Sequence, residues 1–457
     1  MKKFLGLITR CKDEFFIKEF VEYYLNEGVD HIYVIDDNSY NKDIYNEILF
    51  YKNVSVLFEK NIKDEAYEAN RLYRKIRRDY EWMIFLDVDE YITPKKNPFN
   101  TLKEELANHF SPYDCVKVPW VMMSSGGRDE NPVSILRDNV WRWDHDKRHP
   151  HALRKFKCRY DRIEVKSIFR PEKFLTLDLH FPTDTTCDVD VVDSVTMEED
   201  TLSHFYNNFR EEKINEAYLV CYHHRMISKE NSLNKIKYSN WYHDFSIDEL
   251  MDGDHAEVID NTLSVRQFRK KIFIIGFDLI GANSIHNFFK KNGLASIHWD
   301  ETNLARSMLT NRQNGNKLLS TGETTNKQAN SNIPYRKAQV LSGMAWSEKN
   351  LDAKDFYQDL DRQYPNSIFI LNVCNVDTWI ESRKKHYNGE TLKAQKIHHG
   401  ADGAELETIW RDMWHTTINE MKAHFHNRNN FMIYDVESHT ETELQAFFKN
   451  DMMLNLG

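Results

Sequence analysis

Apolar and polar positions along the first ninety residues repeat in the rhythm strand, helix, strand. Residues 4–9 form a short apolar run, read as a strand. Between residues 13 and 26, Phe16, Ile17, Phe20, Val21, Tyr24 and Leu25 recur at the spacing of one helix face, and the stripe stops near Gly28. A second strand at 31–35 runs into Asp36-Asp37-Asn38-Ser39, which is turn chemistry because these short side chains bond their own backbone. Residues 54–58 give a third strand, 65–78 a helix and 82–86 a fourth strand. Such alternation predicts an α/β fold with a mainly parallel, Rossmann-like sheet and right-handed crossovers.

The pattern loosens over 91–240, with short strands at 116–121 and 166–169, the pair Gly126-Gly127, and many aromatic and histidine residues. This stretch reads as the other half of a first domain, 1–242. An acidic run from 245 to 260 and a basic one from 266 to 271 predict a linker over 243–270. A second α/β domain, 271–457, opens with a strand at 272–276, a glycine-containing loop and a helix. Residues 311–331 are rich in Asn, Gln, Gly, Ser and Thr and predict a mobile loop. A strand at 367–371 follows the turn Tyr364-Pro365-Asn366, and a late strand at 431–434 sits among helical patterns. No internal repeat links the two halves.

Length agrees with this division, since 457 residues exceed what one core usually serves. A net charge of −10 speaks against nucleic acid as a partner, which normally meets a basic face. Cys11, Cys115, Cys158, Cys187, Cys221 and Cys374 show no Cys-x-x-Cys spacing, so neither a zinc site nor a disulfide framework is expected, as in a reducing compartment. The opening Met-Lys-Lys-Phe-Leu-Gly-Leu-Ile-Thr-Arg begins like a signal peptide. Arg10 and Lys12 break its apolar run, and no small-residue cleavage site follows. No uncharged run reaches the roughly 18 residues of a spanning helix. A cytoplasmic protein is expected, and a peripheral seat on the inner face of the cell membrane is compatible with it.

The strongest chemical signal is Asp87-Val88-Asp89 directly behind Trp82-Met83-Ile84-Phe85-Leu86. A buried strand ending in two carboxylates one residue apart sets both at a sheet rim, where they can share a hard divalent cation. Open α/β sheets bind ligands outside the carboxyl ends of their strands. A metal there can hold a diphosphate and stabilise the charge that develops as it leaves, the chemistry of a nucleotide-sugar glycosyltransferase. Asp-x-Asp also occurs at Asp144/Asp146, Asp188/Asp190, Asp252/Asp254 and Asp359/Asp361, none behind a clean buried strand. Taken alone, Asp87 and Asp89 read better as a polar strand end with a turn or helix cap.

Several ordered blocks change the balance. They are Ile8-Thr9-Arg10-Cys11-Lys12-Asp13-Glu14, Tyr23-Tyr24-Leu25 through Gly28-Val29-Asp30, Asp36-Asp37-Asn38-Ser39, Phe85-Leu86-Asp87-Val88-Asp89-Glu90-Tyr91, Val165-Lys166-Ser167-Ile168 and His223-His224-Arg225-Met226-Ile227-Ser228-Lys229-Glu230. In this order they resemble bacterial glycosyltransferases of the GT-A superfamily, in the family-2-like group with a DxD motif. The likeness covers about residues 1–240, and 91–240 becomes the acceptor-side half. Asp13 stands where that group usually has Asn, His224 where it has Tyr, and Ile227 where it has Lys.

The resemblance implies roles. Asp87 and Asp89 would ligate Mn²⁺ or Mg²⁺, Asp89 the more directly, and His223 would complete the metal or diphosphate site as a neutral imidazole. Arg10 and Glu14 would face the nucleotide, and Asp36 or Asp37 would bond its base or ribose. Lys166 is a diphosphate contact by charge, and Glu90 supports the metal pair from behind. Asp129 or Glu130, after Ser124-Ser125-Gly126-Gly127, is the candidate general base for an inverting transfer. Each has a plain alternative: an i,i+4 surface pair for Arg10 and Glu14, a turn for Asp36-Asp37, a solvated strand residue for Lys166, a satisfied core histidine for His223. His145, His149 and His151, beside Lys147 and Arg148, fit no regular ligand face and read as a polar loop.

Phe273-Ile274-Ile275-Gly276-Phe277-Asp278-Leu279-Ile280-Gly281-Ala282-Asn283-Ser284 has the strand–loop–helix form that cradles phosphate at a helix N-terminus. With Tyr364-Pro365-Asn366 through Asn372, then Trp379, Ser382, Arg383, Trp410, Arg411 and Trp414, it resembles the sulfotransferase family. Gly276, Leu279, Gly281, Ser284 and Ser382 fall on that family's phosphate positions. Leu279 replaces the lysine that meets the transferring group, Ala282 and Asn283 replace two hydroxyl residues, and Cys374 replaces an arginine. A P-loop-like domain that has lost sulfuryl transfer is expected, because an aliphatic chain cannot supply the several kcal/mol of charge stabilisation the step needs.

The leading expectation is therefore a metal-dependent glycosyltransferase. It would move a sugar from a UDP-linked donor to a glycan or lipid-linked glycan of a surface polysaccharide or lipopolysaccharide, and would be able to form a homo-oligomer. Beside it stand a sulfotransferase or bifunctional glycosyl/sulfotransferase, and a non-catalytic glycan-binding or assembly protein.

Overall fold

In the computed structural model of the chain, residues 2–58, 65–147, 163–204, 206–207, 209–239, 242–324, 333–346 and 349–454 are described. They divide into two compact units, Met1–Gln267 and Phe268–Gly457, each with its own sheet.

The first unit begins β1 (Lys3–Cys11), α1 (Ile17–Asn26), β2 (His31–Asp36), β3 (Val54–Phe58), α2 (Glu65–Ile76) and β4 (Tyr80–Asp87). Strands run β3-β2-β1-β4, all parallel, as the alternation predicts. The apolar stripe of α1 is its buried face: Ile17, Phe20, Val21, Tyr23 and Tyr24 have almost no exposure. The chain leaves α1 through Gly28 at φ +89°, where a Cβ would lie 2.7 Å from that of Lys103, so the turn needs glycine twice over.

Beyond β4 the sheet becomes mixed. The next elements are β5 (Glu90–Pro94), α3 (Leu102–Asn108), β6 (Cys115–Ser124), β7 (Trp141–Arg142) and β8 (Ile163–Phe169). Between β4 and β6 lies β8, antiparallel to both, and every residue of β6 and β8 is buried. A strand at Leu219–His223 then pairs antiparallel with β5 and parallel with β6, which sets His223 opposite Glu90. That long-range pairing carries the last site residues back to the end of β4.

Residues 243–267, expected within a linker, belong to the first unit. Val258–Ile259 pairs antiparallel with β7. The Arg266 guanidinium donates from Nε to Glu27 Oε1 at 2.8 Å, with both groups buried. Asp260 accepts from Lys95 Nζ at 2.8 Å and Arg142 Nε at 2.9 Å. Asp260 and Arg266, one from each charged stretch, are thus held in buried ion pairs.

In the second unit five parallel strands lie in the order Ser296–His298, Val340–Ser342, Ile272–Ile274, Ile368–Val373, Phe431–Asp435. The first two escape a reading by pattern because each is three residues long and, unlike Ile272–Ile274, lies in no unbroken apolar run. Part of the expected mobile loop, 325–331, lies outside the described residues. Leu318 and Leu319 ahead of it are fully buried, and Asn311 donates to the Leu318 carbonyl at 2.8 Å, so this portion is core.

Candidate active site

Parallel pairing of β1 with β4 places Arg10 opposite Asp87 at the carboxyl ends of the strands. Arg10 Nη2 donates to Asp87 Oδ1 at 2.6 Å. From β8, Lys166 reaches the same carboxylate at 3.3 Å and Glu90 Oε2 at 3.1 Å. Glu90 also accepts the backbone N–H of Asp87 at 2.9 Å, which fixes the turn between β4 and β5. Burial alone would raise the Asp87 carboxyl, but the Lys166 ammonium and Arg10 guanidinium hold it well below the usual carboxylate range. Glu90 is pushed up to about 8 by burial, against the pull of Lys166.

Asp89 has different partners. Its Oδ2 accepts from Lys235 Nζ at 3.1 Å, and its carbonyl accepts the His224 N–H at 2.8 Å. His223 Nε2 lies 3.6 Å from Asp89 Oδ1, and the imidazole packs with its centroid 4.3 Å from that of Trp120. Burial depresses His223 to about 3, so the ring is neutral with a lone pair to offer. Glu14, bonded to Asn231, is pushed up to about 7 by burial in spite of Lys235.

The donor set fits a divalent cation at one edge of this cluster. Both oxygens of Asp87 are engaged by Arg10 and Lys166. Asp89 Oδ1 accepts no hydrogen bond among the described residues, and His223 Nδ1 is buried without a partner. Cis ligands of an octahedral ion at about 2.1 Å sit about 3 Å apart, close to the 3.6 Å between Asp89 Oδ1 and His223 Nε2. Among the described residues no group of three His, Cys, Asp or Glu side chains is placed to hold an ion. The protein thus offers two donors, and phosphate oxygens and water would supply the rest.

Of the other expected residues, Asp36 is spent locally: its Oδ1 accepts the Ser39 N–H at 3.1 Å and the Tyr45 hydroxyl at 2.9 Å. Asp37, half-buried, adds its field to Arg10. Asp129 and Glu130 are exposed and, among the described residues, neither is bonded to the cluster. The Ser124-Ser125-Gly126-Gly127 stretch before them is tied down, with Ser125 N donating to Asp254 Oδ1 at 2.8 Å. His145 bonds Glu211 at 3.0 Å, while His149 and His151 lie outside the described residues. Lys235, Asn231 and Trp120 are site residues that sequence reasoning passed over. The available signal was the i,i+4 spacing of Asn231 and Lys235 on Lys229–Tyr238, a helix capped by Ser228.

The loop of the second unit, Gly276-Phe277-Asp278-Leu279-Ile280-Gly281, is fixed by Asn372 and contains no lysine. Gly276 N donates to Asn372 Oδ1 at 2.9 Å, and Asn372 Nδ2 donates to the Ile280 carbonyl at 2.5 Å. Gly281 at φ +59° caps helix Ala282–Lys291, and Ser284 Oγ donates back to its carbonyl at 2.6 Å. Leu279 sits at φ +65°, a left-handed conformation uncommon for a branched side chain, and its side chain is exposed. Ser382 lies half-exposed on helix Val376–Lys385.

Among the described residues no helix is long and apolar enough to cross a membrane. No curated protein matches the chain. Several solved structures are faintly similar. A 4-diphosphocytidyl-2C-methyl-D-erythritol synthase from Anaerococcus prevotii shares 11% identity over 46% of this chain and 95% of its own, with a TM-score of 0.24. For a putative glucose-1-phosphate thymidylyltransferase from Bacillus anthracis the figures are 6%, 37%, 72% and 0.23. For a nucleotidyl transferase from Methanothermobacter thermautotroptrophicus they are 10%, 39%, 78% and 0.20. Residues 12–192 match the family model of glycosyltransferase family 92, where the resemblance had named a family-2-like group, and residues 271–456 match that of a sulfotransferase domain. The chain thus joins a glycosyltransferase domain to a sulfotransferase-type domain.

Proposed function

We propose that the first domain transfers a sugar from a nucleotide diphosphate donor, UDP-linked in its leading form, to a hydroxyl of a surface glycan. The observation that carries this reading is the cluster in which Arg10, Lys166 and Lys235 close on Asp87, Asp89 and Glu90 at the ends of β1 and β4. In open α/β sheets that rim is where ligands bind. As the sugar–phosphate bond lengthens, negative charge collects on the departing diphosphate. The Arg10 fork and the Lys166 ammonium meet it with charged N–H donors, a contribution larger in the transition state than before it. Asp87 orients both cations, so its role is positioning. Asp89 and His223 are the residues that would hold a cation, with imidazole favouring Mn²⁺ over Mg²⁺. Such an ion, when bound, neutralises the same diphosphate.

Calorimetric titration of the full chain with UDP, with and without Mn²⁺, tests the reading. The expected result is that Mn²⁺ tightens UDP binding about tenfold or more, and that Asp89→Asn and His223→Gln remove that gain. Asp87→Asn weakens UDP with or without metal. Failure of UDP, GDP and CMP to bind at all would sink the reading.

The sulfotransferase match supports a second reading, sulfuryl transfer by the second domain. It is opposed by Leu279 at the lysine position and by the Asp278 carboxylate beside the loop. Tight binding of adenosine 3′-phosphate 5′-phosphosulfate would revive it.

A further inference from the structure

The helix that carries Asn231 and Lys235 into the first unit's active site ends in an aromatic contact at the protein surface. Tyr238, the last residue of Lys229–Tyr238, meets Tyr40 with ring centroids 5.1 Å apart and planes inclined by 50°. Lys237 Nζ lies 4.7 Å from the centroid of the Tyr238 ring. Tyr40 is 75% exposed, and among the described residues its one ring contact is with Tyr238. Exposure here is not looseness. Asp13, in a left-handed conformation at φ +55°, accepts the Tyr40 N–H at 3.0 Å and the Asn41 N–H at 2.8 Å on its two carboxylate oxygens. Its own N–H donates to Ser39 Oγ at 3.0 Å. The backbone that presents the Tyr40 ring is thus clamped by the turn between β1 and α1.

Two connections tie this ring pair to the reacting centre. Along the helix, Tyr238 stands three residues beyond Lys235, whose ammonium donates to Asp89 Oδ2 at 3.1 Å, and side chains at that spacing are neighbours on one helix face. Across the loop, Asp13 is followed by Glu14, which is bonded to Asn231 of the same helix. Both routes end on the Asp89 branch of the cluster. The cations that meet the departing diphosphate, Arg10 and Lys166, close instead on Asp87. A flat nucleobase is gripped best between parallel rings, and these two are inclined by 50°. A pyranose is different: a face of C–H bonds lies against one aromatic face while its hydroxyls stay in water. A solvated tyrosine supplies that surface with little rotamer entropy to lose.

We propose that the open face of Tyr40, walled by Tyr238, is a stacking platform for one sugar ring of the acceptor glycan, with the Lys237 ammonium at its edge to donate to a sugar hydroxyl. The proposal rests on the glycosyl-transfer reading of the first domain and names the part of that site which holds the acceptor. Tyr40 and Tyr238 are then specificity residues, which touch the acceptor and take no part in the departure of the diphosphate.

Saturation-transfer NMR on the full chain tests the proposal, in the presence of UDP and Mn²⁺. The probes are the methyl glycosides of glucose, galactose and mannose, and N-acetylglucosamine. At least one is expected to show saturation transfer, strongest at the C–H bonds of one ring face. Tyr40→Ala and Tyr238→Ala should each weaken that binding about fivefold or more, and Tyr40→Phe should keep it. Tyr40→Ala guards against a folding failure, because the side chain is 75% exposed and the bonds to Asp13 come from the backbone. Calorimetric titration with UDP is read in the same variants. UDP affinity should change by less than about twofold, since one lost base stack costs about fivefold or more; a loss of that size would assign the rings to the nucleobase and overturn the proposal. Absence of transfer for every probe while UDP binds would overturn it too, as would signals unchanged in Tyr40→Ala. UDP that does not bind the wild-type chain would sink the transfer reading first, and the platform with it.

Discussion

Replacing Asp260 by Ala tests whether residues 243–267 are structure or connector. Its Oδ2 accepts from Lys95 Nζ at 2.8 Å, Arg142 Nε at 2.9 Å and the Tyr222 hydroxyl at 3.0 Å, while Oδ1 accepts the Thr262 N–H at 3.1 Å. The Arg142 and Lys95 side chains are 2% and 11% exposed. Glu211, at 3.0 Å from Arg142 Nη1, would then be left to balance two cations. Breaking a buried pair from one side costs about 3–5 kcal/mol, most of it the desolvated charge left behind. With a urea slope near 3 kcal/mol per molar for a unit of this size, the midpoint should fall by about 1 M or more.

Urea unfolding followed by tryptophan fluorescence reads the shift, with Trp141 and Trp143 flanking Arg142 in sequence. The sign with pH follows from the depressed pKa. Lys95 and Arg142 outweigh the burial that would raise Asp260, so the carboxyl lies below its ordinary value in the folded protein. Its stabilisation is complete above the unfolded pKa of about 3.9 and is lost as pH falls through the folded value. The gap between wild type and variant should be flat from neutrality down to about pH 5 and narrow below that. A chain ending at residue 242 should fail to reach the midpoint of one ending at 267. Equal midpoints for the two would show that the ion pairs hold nothing together.

Three other outcomes are expected. Lys166→Met leaves Glu90 without its ammonium partner and Asp87 with Arg10 alone, and donor hydrolysis should drop about 10²–10³-fold, the usual cost of one electrostatic contact to developing charge; unchanged turnover in a folded variant would remove Lys166 from the site. In Gly276→Ala the new Cβ would stand 2.1 Å from the Asn372 carbonyl oxygen, and the second unit should lose about 1–3 kcal/mol by chemical unfolding while the first is unaffected. Asp352→Asn should stabilise the second unit at alkaline pH. The raised Asp352 carboxyl keeps its proton longer in the folded state, so wild-type stability falls as pH rises above the ordinary carboxylate range. Thermal melts at pH 6 and pH 9 check it, and an equal gain at both would count against the assignment.

Much of the α/β organisation was legible because its signals are local. The stripe of α1, the turn after β2 and the apolar run before Asp87 each need fewer than fifteen residues of sequence to read, and each is where the pattern put it. The Ile272–Ile274 strand and its loop were equally plain, since the apolar run there continues unbroken to Ile275 and a buried parallel strand is such a run. Illegible parts depend on distant partners. Arg266 looked like one residue of a basic surface run until Glu27, 239 residues away, turned up against it. Three-residue strands such as Val340–Ser342 carry no period of their own, and their burial comes from neighbours on either side.

The DxD pair shows the same divide within a single site. Its placement at a strand end was readable, whereas the different partners of the two carboxylates were not. The inequality of the two carboxylates has a topological cause. Asp87, the last residue of β4, stands beside β1 and β8, which deliver Arg10 and Lys166 to it from both sides. Asp89 has passed the strand end and meets what Leu219–His223 and the following helix supply, an imidazole and one ammonium. One carboxylate is therefore held between two cations, and the other keeps an oxygen open beside a neutral histidine. Two acids separated by one residue differ because one belongs to the sheet and the other to the turn.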